Sequence, residues 1–192
     1  MDFKNFVSSY STRLNKSITN IPHKEVQTLT ETLQVAWSQK KVIYLCGNGG
    51  SAGNAIHIAN DWIYGAGVNE GVGLRVEALS ANSAVLTCLG NDIGYEKIYS
   101  EQLRVKANSG DVLIVLSGSG NSPNVVAALE QGNSIGMTTF AVLGFDGGRC
   151  KSLAHHAIHV AVNDMQISED LQLIIGHICM QWLCQEGKSL NH

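Results

Sequence analysis

The chain has 192 residues, 44% of them hydrophobic and 15% charged, with a formal net charge of -3. This length suffices for a full-sized core, and the composition is that of an ordinary globular protein. The weakly negative charge, without a basic cluster, argues against nucleic acid as a direct partner, and no apolar run is long enough to span a membrane.

Two amphipathic helices are predicted ahead of the first strand. Apolar residues recur at helical spacing from Asp2 to about Asn20, and Pro22 suits the first turn of a second helix that continues to about Ala36. These helices must cover an apolar surface, which is either the chain's own sheet or a partner subunit.

A buried strand, a glycine loop and a helix form the first candidate site. The apolar run 42–46 ends in Gly47-Asn48-Gly49-Gly50-Ser51, and an apolar pattern of helical period then continues to about Tyr64. Glycines allow a ligand to approach the backbone, and a helix N-terminus presents free N–H groups and a positive dipole end. This geometry suits a phosphate, although a tight turn that binds nothing is the alternative. The loop is neither a P-loop nor a dinucleotide fingerprint.

The middle of the chain predicts short elements. After a flexible, glycine-rich connection over residues 65–73, we expect a strand at Arg75–Leu79 and a brief helix at Ala84–Leu89. A polar turn at Gly90–Tyr95 then precedes a helix from about Glu96 to Lys106.

The clearest buried strand, Asp111–Leu116, leads into the second polar loop, Ser117–Asn124. Ser122 suits the N-cap and Pro123 the first position of a helix that continues to Gln131. Serine hydroxyls and backbone N–H groups here could converge on the oxygens of a phosphate monoester. Because neither loop contains lysine or arginine, the sequence favours a phosphosugar over a nucleoside triphosphate with magnesium.

The order of elements predicts the architecture. Further strands at Met137–Leu143 and Ala157–Val162 precede a final helix from about Ile167 to Cys184. Strands that alternate with helices form a parallel sheet covered on both faces, with ligands at the carboxyl ends of the strands. Since two strands end in glycine-rich polar loops, we expect both loops to face one site.

Two segments resemble the signature loops of the sugar isomerase (SIS) domain. They are Cys46-Gly47-Asn48-Gly49-Gly50-Ser51 and Ser117-Gly118-Ser119-Gly120-Asn121-Ser122. The chain is most similar to the phosphoheptose isomerases, which convert sedoheptulose 7-phosphate to a heptose 7-phosphate. The resemblance covers nearly the whole chain. It implies an α/β fold, a single-domain three-layer sandwich over residues 1–192 with a five-stranded parallel flavodoxin-like sheet. It also implies a homotetramer with active sites shared between subunits, in which the helical extension 1–38 serves oligomerisation. The implied phosphate-binding residues are Asn48, Gly49, Gly50, Ser51, Ser117, Gly118, Ser119 and Ser122.

Four residues form a candidate metal set. His57 and Asp61 share a helix face, while Glu169 and His177, eight residues apart, lie about 80° from alignment on the last helix. Two imidazoles and two carboxylates can hold zinc, although a His–Asp pair at this spacing is more often a local hydrogen bond. The resemblance implies the metal, one zinc ion per site. The family has a His-x-x-x-Glu on the first of these helices and a Gln with a His eight residues later on the last.

The sequence departs from the family pattern at two of these four positions and at one further residue. Asp61 replaces the family's glutamate, Glu169 replaces its glutamine, and Gly65 replaces an arginine. Aspartate can bind zinc and abstract a proton, but its side chain is one methylene shorter. The pocket or the substrate can therefore differ from those of the family.

Aldose–ketose isomerisation needs a base, an acid and stabilisation of an enediolate. We assign Asp61 as base and His177 as acid, both also metal ligands, with zinc polarising the carbonyl. Asn91 and Asp92 match a substrate-contacting Asn-Asp of the family, although they could also form a simple turn. Glu169, at the position of the family's glutamine, is a further candidate substrate contact. Three further histidines, at 155, 156 and 159, are expected at a sheet edge or surface.

Three functions compete. The first is isomerisation of sedoheptulose 7-phosphate to D-glycero-D-manno-heptose 7-phosphate for lipopolysaccharide or capsule precursors. The second is a non-catalytic SIS protein that binds the replication initiator DnaA, against which the four candidate ligands argue. The third is an isomerase or sensor of another phosphosugar, which the changes at Asp61 and Gly65 would mark.

Five cysteines, an odd number without a Cys-x-x-Cys pair, lie mostly in apolar runs. We interpret them as reduced core thiols of a cytosolic protein rather than disulfides or zinc ligands. The amino terminus lacks the pattern of a signal peptide, which also favours a cytoplasmic location.

Overall fold

A computed structural model of the chain describes residues 2–65 and 72–190, with side chains through residue 185. Most of the expected flexible connection, residues 66–71, therefore lies outside the described residues. The helices are α1 (Phe3–Thr19), α2 (His23–Ser38), α3 (Gly50–Asn60), α4 (Ser83–Asp92), α5 (Ser100–Lys106), α6 (Pro123–Ile135), α7 (Gly148–Leu153) and α8 (Met165–Leu190). The strands are β1 (Val42–Gly47), β2 (Arg75–Ala78), β3 (Val112–Ser117), β4 (Thr138–Leu143) and β5 (His156–His159).

The five strands form one parallel sheet in the order β2-β1-β3-β4-β5. This is the flavodoxin-like order, and it confirms the predicted fold. The register places Gly47 of β1 beside Leu116 of β3. The residues that follow β1 and β3 therefore emerge next to each other at the carboxyl edge of the sheet.

Alternate residues of each strand face two separate cores. Ile43 and Leu45 of β1 are fully buried in a cluster with apolar residues of α2, α3 and α8. Tyr44 and Cys46 point the other way, into a cluster with α5, α6 and α7. The alternation follows from the two-residue period of a strand, and it produces the predicted three layers.

The N-terminal helix α1 is fastened to α8 by polar contacts. The Tyr10 hydroxyl donates a hydrogen bond to the Asp170 carboxylate, which raises the pKa of Tyr10 to about 12. Arg13 forms an ion pair with Asp164, the residue that precedes α8. These contacts show α1 against the chain's own last helix, while Phe3 and Phe6 remain exposed.

Several boundaries differ from the sequence-based prediction. The last helix is longer than expected at both ends. Strand β5 starts one residue earlier than expected and ends at His159, where its pairing with β4 ends; as an edge strand it has no second neighbour. Helix α7 was missed, since its six residues are too few to show a helical period. The helix expected from Glu96 is a 3₁₀ turn, Tyr95–Lys97, followed by α5.

The polar turn expected at Gly90–Tyr95 is in large part helical. Helix α4 continues through Asn91 and Asp92, and its N-terminus is capped by Asn82, whose side chain accepts a hydrogen bond from the Val85 N–H at 3.2 Å. None of its ten residues is buried, so polar side chains extend the helix without a desolvation cost.

All five cysteines are free, and three of them are buried. Burial raises the pKa of Cys150 and Cys179 to about 11, and it raises the pKa of Cys46 as well. Cys88 is exposed, and its hydrogen bond to Asp92 raises its pKa. Within the described residues, no helix is long and apolar enough to cross a bilayer.

We predict that the thiols react with a disulfide reagent in three classes. In the native protein Cys88 should react first, Cys184 more slowly, and the three buried thiols at least about 100-fold more slowly, because both access and ionisation are suppressed. Reaction kinetics with mass-spectrometric assignment would measure this order. Substitution Asp92→Asn should speed the reaction of Cys88, while fast labelling of Cys46 in folded protein would contradict the buried assignment.

Candidate active site

The first loop, Gly47–Ser51, is shaped by two glycines. A Cβ on Gly47 would lie 2.7 Å from the Leu116 carbonyl oxygen, so only glycine fits where β1 passes β3. Gly49 has φ +55° and precedes the first residue of α3. The buried Tyr99 hydroxyl donates to the Gly47 carbonyl at 2.5 Å, and burial raises the pKa of Tyr99, so this donor keeps its proton.

The second loop, Ser117–Asn124, uses part of its polar groups to fold itself. The Ser117 hydroxyl accepts a hydrogen bond from the Gly120 N–H at 3.0 Å, and the Ser119 hydroxyl accepts one from the Asn121 N–H at 3.3 Å. Gly120 has φ +65°, which glycine adopts without strain. Ser122 occupies the N-cap position of α6 as predicted, but its side chain makes no capping hydrogen bond.

A reciprocal amide pair joins the two loops. Asn48 Nδ2 donates to Asn124 Oδ1 at 2.8 Å, and Asn124 Nδ2 donates to Asn48 Oδ1 at 2.7 Å. Asn124 is 1% exposed, and the Tyr95 hydroxyl also donates to Asn48 Oδ1, at 3.2 Å. The loops therefore lie side by side, and the N-termini of α3 and α6 are adjacent. Two helix N-termini next to glycine and serine residues form a surface that favours an anion.

His57, Asp61 and His177 converge at one point between α3 and α8. The two imidazole Nε2 atoms are 3.0 Å apart, and Asp61 Oδ2 lies 3.4 Å from His57 Nε2 and 3.3 Å from His177 Nε2. We call these residues the His–Asp–His group. Their side chains are 50%, 21% and 39% exposed, respectively, so one side of the group is open to further ligands.

The three distances fit a tetrahedral zinc site. Two ligands held about 2.0–2.1 Å from a tetrahedral zinc ion are separated by about 3.3 Å. The contact between the two histidines is also compatible with a hydrogen bond, and both His–Asp contacts with ion pairs, so the spacing fits a metal ion without requiring one. Three protein ligands and an open position are also the pattern of catalytic zinc sites.

Parallel packing of α3 on α8 positions these residues. The Gln172 side chain donates to the Ser51 hydroxyl at 3.0 Å near the first loop, and Asn54 donates to Gln172 Oε1 at 3.0 Å. Further along, a Cβ on Gly176 would meet the Ile58 side chain at 2.8 Å, so the helices are close enough there to require glycine.

Glu169 does not join the His–Asp–His group, contrary to the expected set of four ligands. The ligand atoms of that group lie within 4.8 Å of one another, and Glu169 is not among them in the part of the chain that the structure describes. Its carboxylate instead lies against Gly50, where an added Cβ would overlap Glu169 Oε1. Eight residues advance an α-helix by about 12 Å, so Glu169 and His177 lie about that far apart along α8.

Asn91 and Asp92 are not linked to the loops by hydrogen bonds in the described structure. The Asn91 side chain donates to Asp92 Oδ1 at 2.8 Å, and both residues are exposed. The sequence assigned no role to Tyr95 and Gln172, which contact the first loop, or to the link between Asn124 of the second loop and the first loop. The sequence carries no local signal for these contacts, because each depends on an element brought in from elsewhere in the fold.

Asp61 begins a single π-helical turn, Asp61–Gly65, directly after α3. Such turns occur often at functional sites. The predicted α-helix to about Tyr64 is therefore wrong in its last turn. Its apolar spacing looks the same in either geometry over so few residues.

The histidines at 155, 156 and 159 lie at or directly before the edge strand β5, as expected. His156 stacks on Phe140 with ring centroids 4.8 Å apart, and His159 Nε2 is 3.0 Å from the Phe145 carbonyl oxygen. Neither belongs to the metal-binding group found among the described residues.

Comparison with known proteins gives consistent matches. The SIS domain matches residues 6–144. The phosphoheptose isomerase of a Nitratiruptor species is 42% identical over 143 residues, which are 74% of this chain and 76% of that protein. The enzyme of the same name from Helicobacter pylori is 37% identical, over 85% of this chain and 82% of that protein. The solved structure of phosphoheptose isomerase from Neisseria gonorrhoeae has a TM-score of 0.87 at 25% identity, covering 95% of this chain and 98% of that one.

We predict that Asn124→Leu weakens phosphate binding by about 10-fold or more. The substitution removes both bonds of the amide pair and frees Asn48, and losing a buried hydrogen-bond partner costs about 1–3 kcal/mol. Titration calorimetry with inorganic phosphate would measure the affinity. Asn133→Leu is the matched control, since Asn133 is on the same helix but bonds the Leu153 carbonyl and Thr139 at its far end. Equal affinities of the two variants would show that the pair does not shape the anion site.

Proposed function

The chain belongs to the SIS domain family and, within it, to the phosphoheptose isomerases, and we propose that it converts sedoheptulose 7-phosphate to D-glycero-D-manno-heptose 7-phosphate. The observation that carries the proposal is the His–Asp–His group on the same helix pair as the first loop. His57 follows Gly50 by seven residues, which is about 10 Å of helix. That separation is comparable to the length of an extended seven-carbon chain with its phosphate at one end.

The phosphate end of the substrate would bind between the two loops. Backbone N–H groups of Gly49, Gly50 and Ser51 would supply donors from one side, and the hydroxyls of Ser119 and Ser122 from the other. Neither loop contains a cationic side chain, so binding would depend on the helix dipoles and on short hydrogen bonds. We assign Ser117 and Gly118 to the same site, with the Ser117 hydroxyl holding the loop in shape.

We propose that the His–Asp–His group binds zinc through His57 Nε2, His177 Nε2 and Asp61 Oδ2. The spacing of these atoms and the open side of the group support this assignment. Bound there, zinc supplies a Lewis acid that polarises the substrate carbonyl. Glu169, which lies at the phosphate end, would contact substrate rather than the ion.

We propose two proton-transfer roles, which the positions of the remaining atoms support. Asp61 Oδ2 faces the two histidines, so Asp61 Oδ1 is the oxygen that takes the proton moved between C1 and C2. Asn60 Nδ2 lies 3.3 Å from this oxygen and orients it. His177 uses Nε2 in the group, so its Nδ1 would give a proton to the carbonyl oxygen and recover one from the neighbouring hydroxyl, which becomes the new carbonyl, while Asp61 returns its proton to the other carbon.

Two alternative functions make different demands on the same residues. A non-catalytic protein that binds DnaA would have no use for two imidazoles and a carboxylate at ligand spacing. An isomerase or sensor of another phosphosugar is compatible with the group and would differ in the length or the hydroxyls of its substrate. A turnover screen over five- to seven-carbon sugar phosphates distinguishes these functions.

We also propose that the protein is a cytoplasmic homotetramer that makes precursors of lipopolysaccharide or capsule. Phe3, Phe6 and Trp182 are 78%, 53% and 56% exposed, and an apolar groove of about 410 Å³ lies between α2 and α8. Ile56 and Ile178, each next to a histidine of the group, are also exposed. A partner subunit on this face would cover the open side of the group, which supports sites shared between subunits and a role for residues 1–38 in assembly.

We predict that Asp61→Asn lowers turnover of sedoheptulose 7-phosphate by about 10²–10⁴-fold, the usual contribution of a general base. NMR in D₂O would follow both product formation and incorporation of deuterium at C1 or C2. Asp111→Asn is the control, since this buried carboxylate binds backbone N–H groups at the amino end of β3. Wild-type exchange in Asp61→Asn would contradict its role as the base.

We predict that Trp182→Glu lowers the mass of the assembly, because a charge would be buried in the proposed interface. Light scattering after size exclusion would show a tetramer for the wild type and a smaller species for the variant. Val105→Glu is the control, since Val105 is 75% exposed on α5 in the opposite layer. A wild-type mass for Trp182→Glu would place the interface elsewhere.

A further inference from the structure

Trp62 is a buried residue that connects the segment carrying Asp61 to the segment carrying His177. It follows Asp61 directly and is 1% exposed. Its indole Nε1 donates a hydrogen bond to the carbonyl oxygen of Gly176 at 3.1 Å, and Gly176 is the residue before His177. One buried hydrogen bond thus connects the neighbour of Asp61 to the neighbour of His177.

Two glycines near this hydrogen bond have neighbouring side chains at the place where a Cβ would lie. A Cβ on Gly176 would meet Ile58 at 2.8 Å, and a Cβ on Gly65 would lie 2.9 Å from Met180 Sδ. The π-helical turn that starts at Asp61 therefore contacts α8 through the Trp62 indole and at Gly65, which faces Met180. The contact of Asp61 with His57 is local, but the short Asp61 side chain reaches His177 only if its backbone is held near α8.

We propose that Trp62 is a positioning residue, whose hydrogen bond to Gly176 holds the π-helical turn against α8 and sets the ligand distance between Asp61 and His177. The inference rests on the proposed zinc site and adds a residue that touches neither ion nor substrate.

The test compares Trp62→Phe with a matched variant, Trp37→Phe. Both substitutions keep an aromatic ring and remove an indole donor to a backbone carbonyl, since Trp37 Nε1 donates to the Val72 oxygen at 3.1 Å. Trp37 belongs to α2 and is remote in sequence from all three ligands. Zinc affinity of the metal-free full-length protein would be measured by competition with a chromophoric chelator, and site geometry by the visible spectrum of the cobalt form.

We expect Trp62→Phe to weaken zinc binding by about 10-fold, as is typical for residues that orient metal ligands, and to change the cobalt spectrum. Trp37→Phe should leave both unchanged. Zinc affinity and spectrum equal to wild type in Trp62→Phe would overturn the inference, while turnover by the wild type would still support the proposed function.

A second variant covers the case in which Trp62→Phe does not fold. Gly176→Ala keeps the indole but adds a methyl group against Ile58, which should also separate the turn from α8 and weaken zinc binding. Adding Ile58→Ala should restore the affinity, because it removes the clashing atoms. If the wild type binds no zinc, the zinc site and this inference fail together, and the exchange reaction in D₂O then decides the isomerase proposal independently.

Discussion

The packing of α3 against α8 determines where both halves of the site lie. The helices run side by side in the same direction, so residues near the start of α3 meet the start of α8, and residues near its end meet the middle of α8. Gln172 bonds Ser51 beside the first loop, and Gly176 lies against Ile58 beside the His–Asp–His group. The proposed phosphate site and the proposed zinc site are therefore two points on one pair of packed helices, about 10 Å apart.

The parallel sheet supplies the second constraint. Adjacent strands β1 and β3 end at the same edge, so the two polar loops meet without any contact between residues that are close in sequence. The Asn48–Asn124 pair then fixes their spacing. A site made of backbone N–H groups and hydroxyls carries little positive charge, which suits a sugar phosphate that must be released after each turnover.

The features that the sequence predicted are those that depend on residues close together in the chain. The two loops, the helix after each, and the pairing of His57 with Asp61 all follow from spacings within a few residues, and the structure contains each of them. The expectation that Glu169 joins the metal ligands considered its angular position on α8 but not the rise along the helix, and its carboxylate lies against Gly50. Asn124, Tyr95 and the π-helical turn at Asp61 depend on tertiary contacts, for which a single sequence carries no periodic signal.

The central claim is that His57, Asp61 and His177 bind one ion while the two loops bind the phosphate of the same substrate. A crystal structure of the zinc-loaded protein with a seven-carbon sugar phosphate, using anomalous diffraction at the zinc edge, tests it most directly. The account predicts one zinc peak per chain, bound by two Nε2 atoms and the Asp61 carboxylate, with the phosphate between the first and second loops. Zinc bound at other residues, or a phosphate at the opposite edge of the sheet, would contradict it.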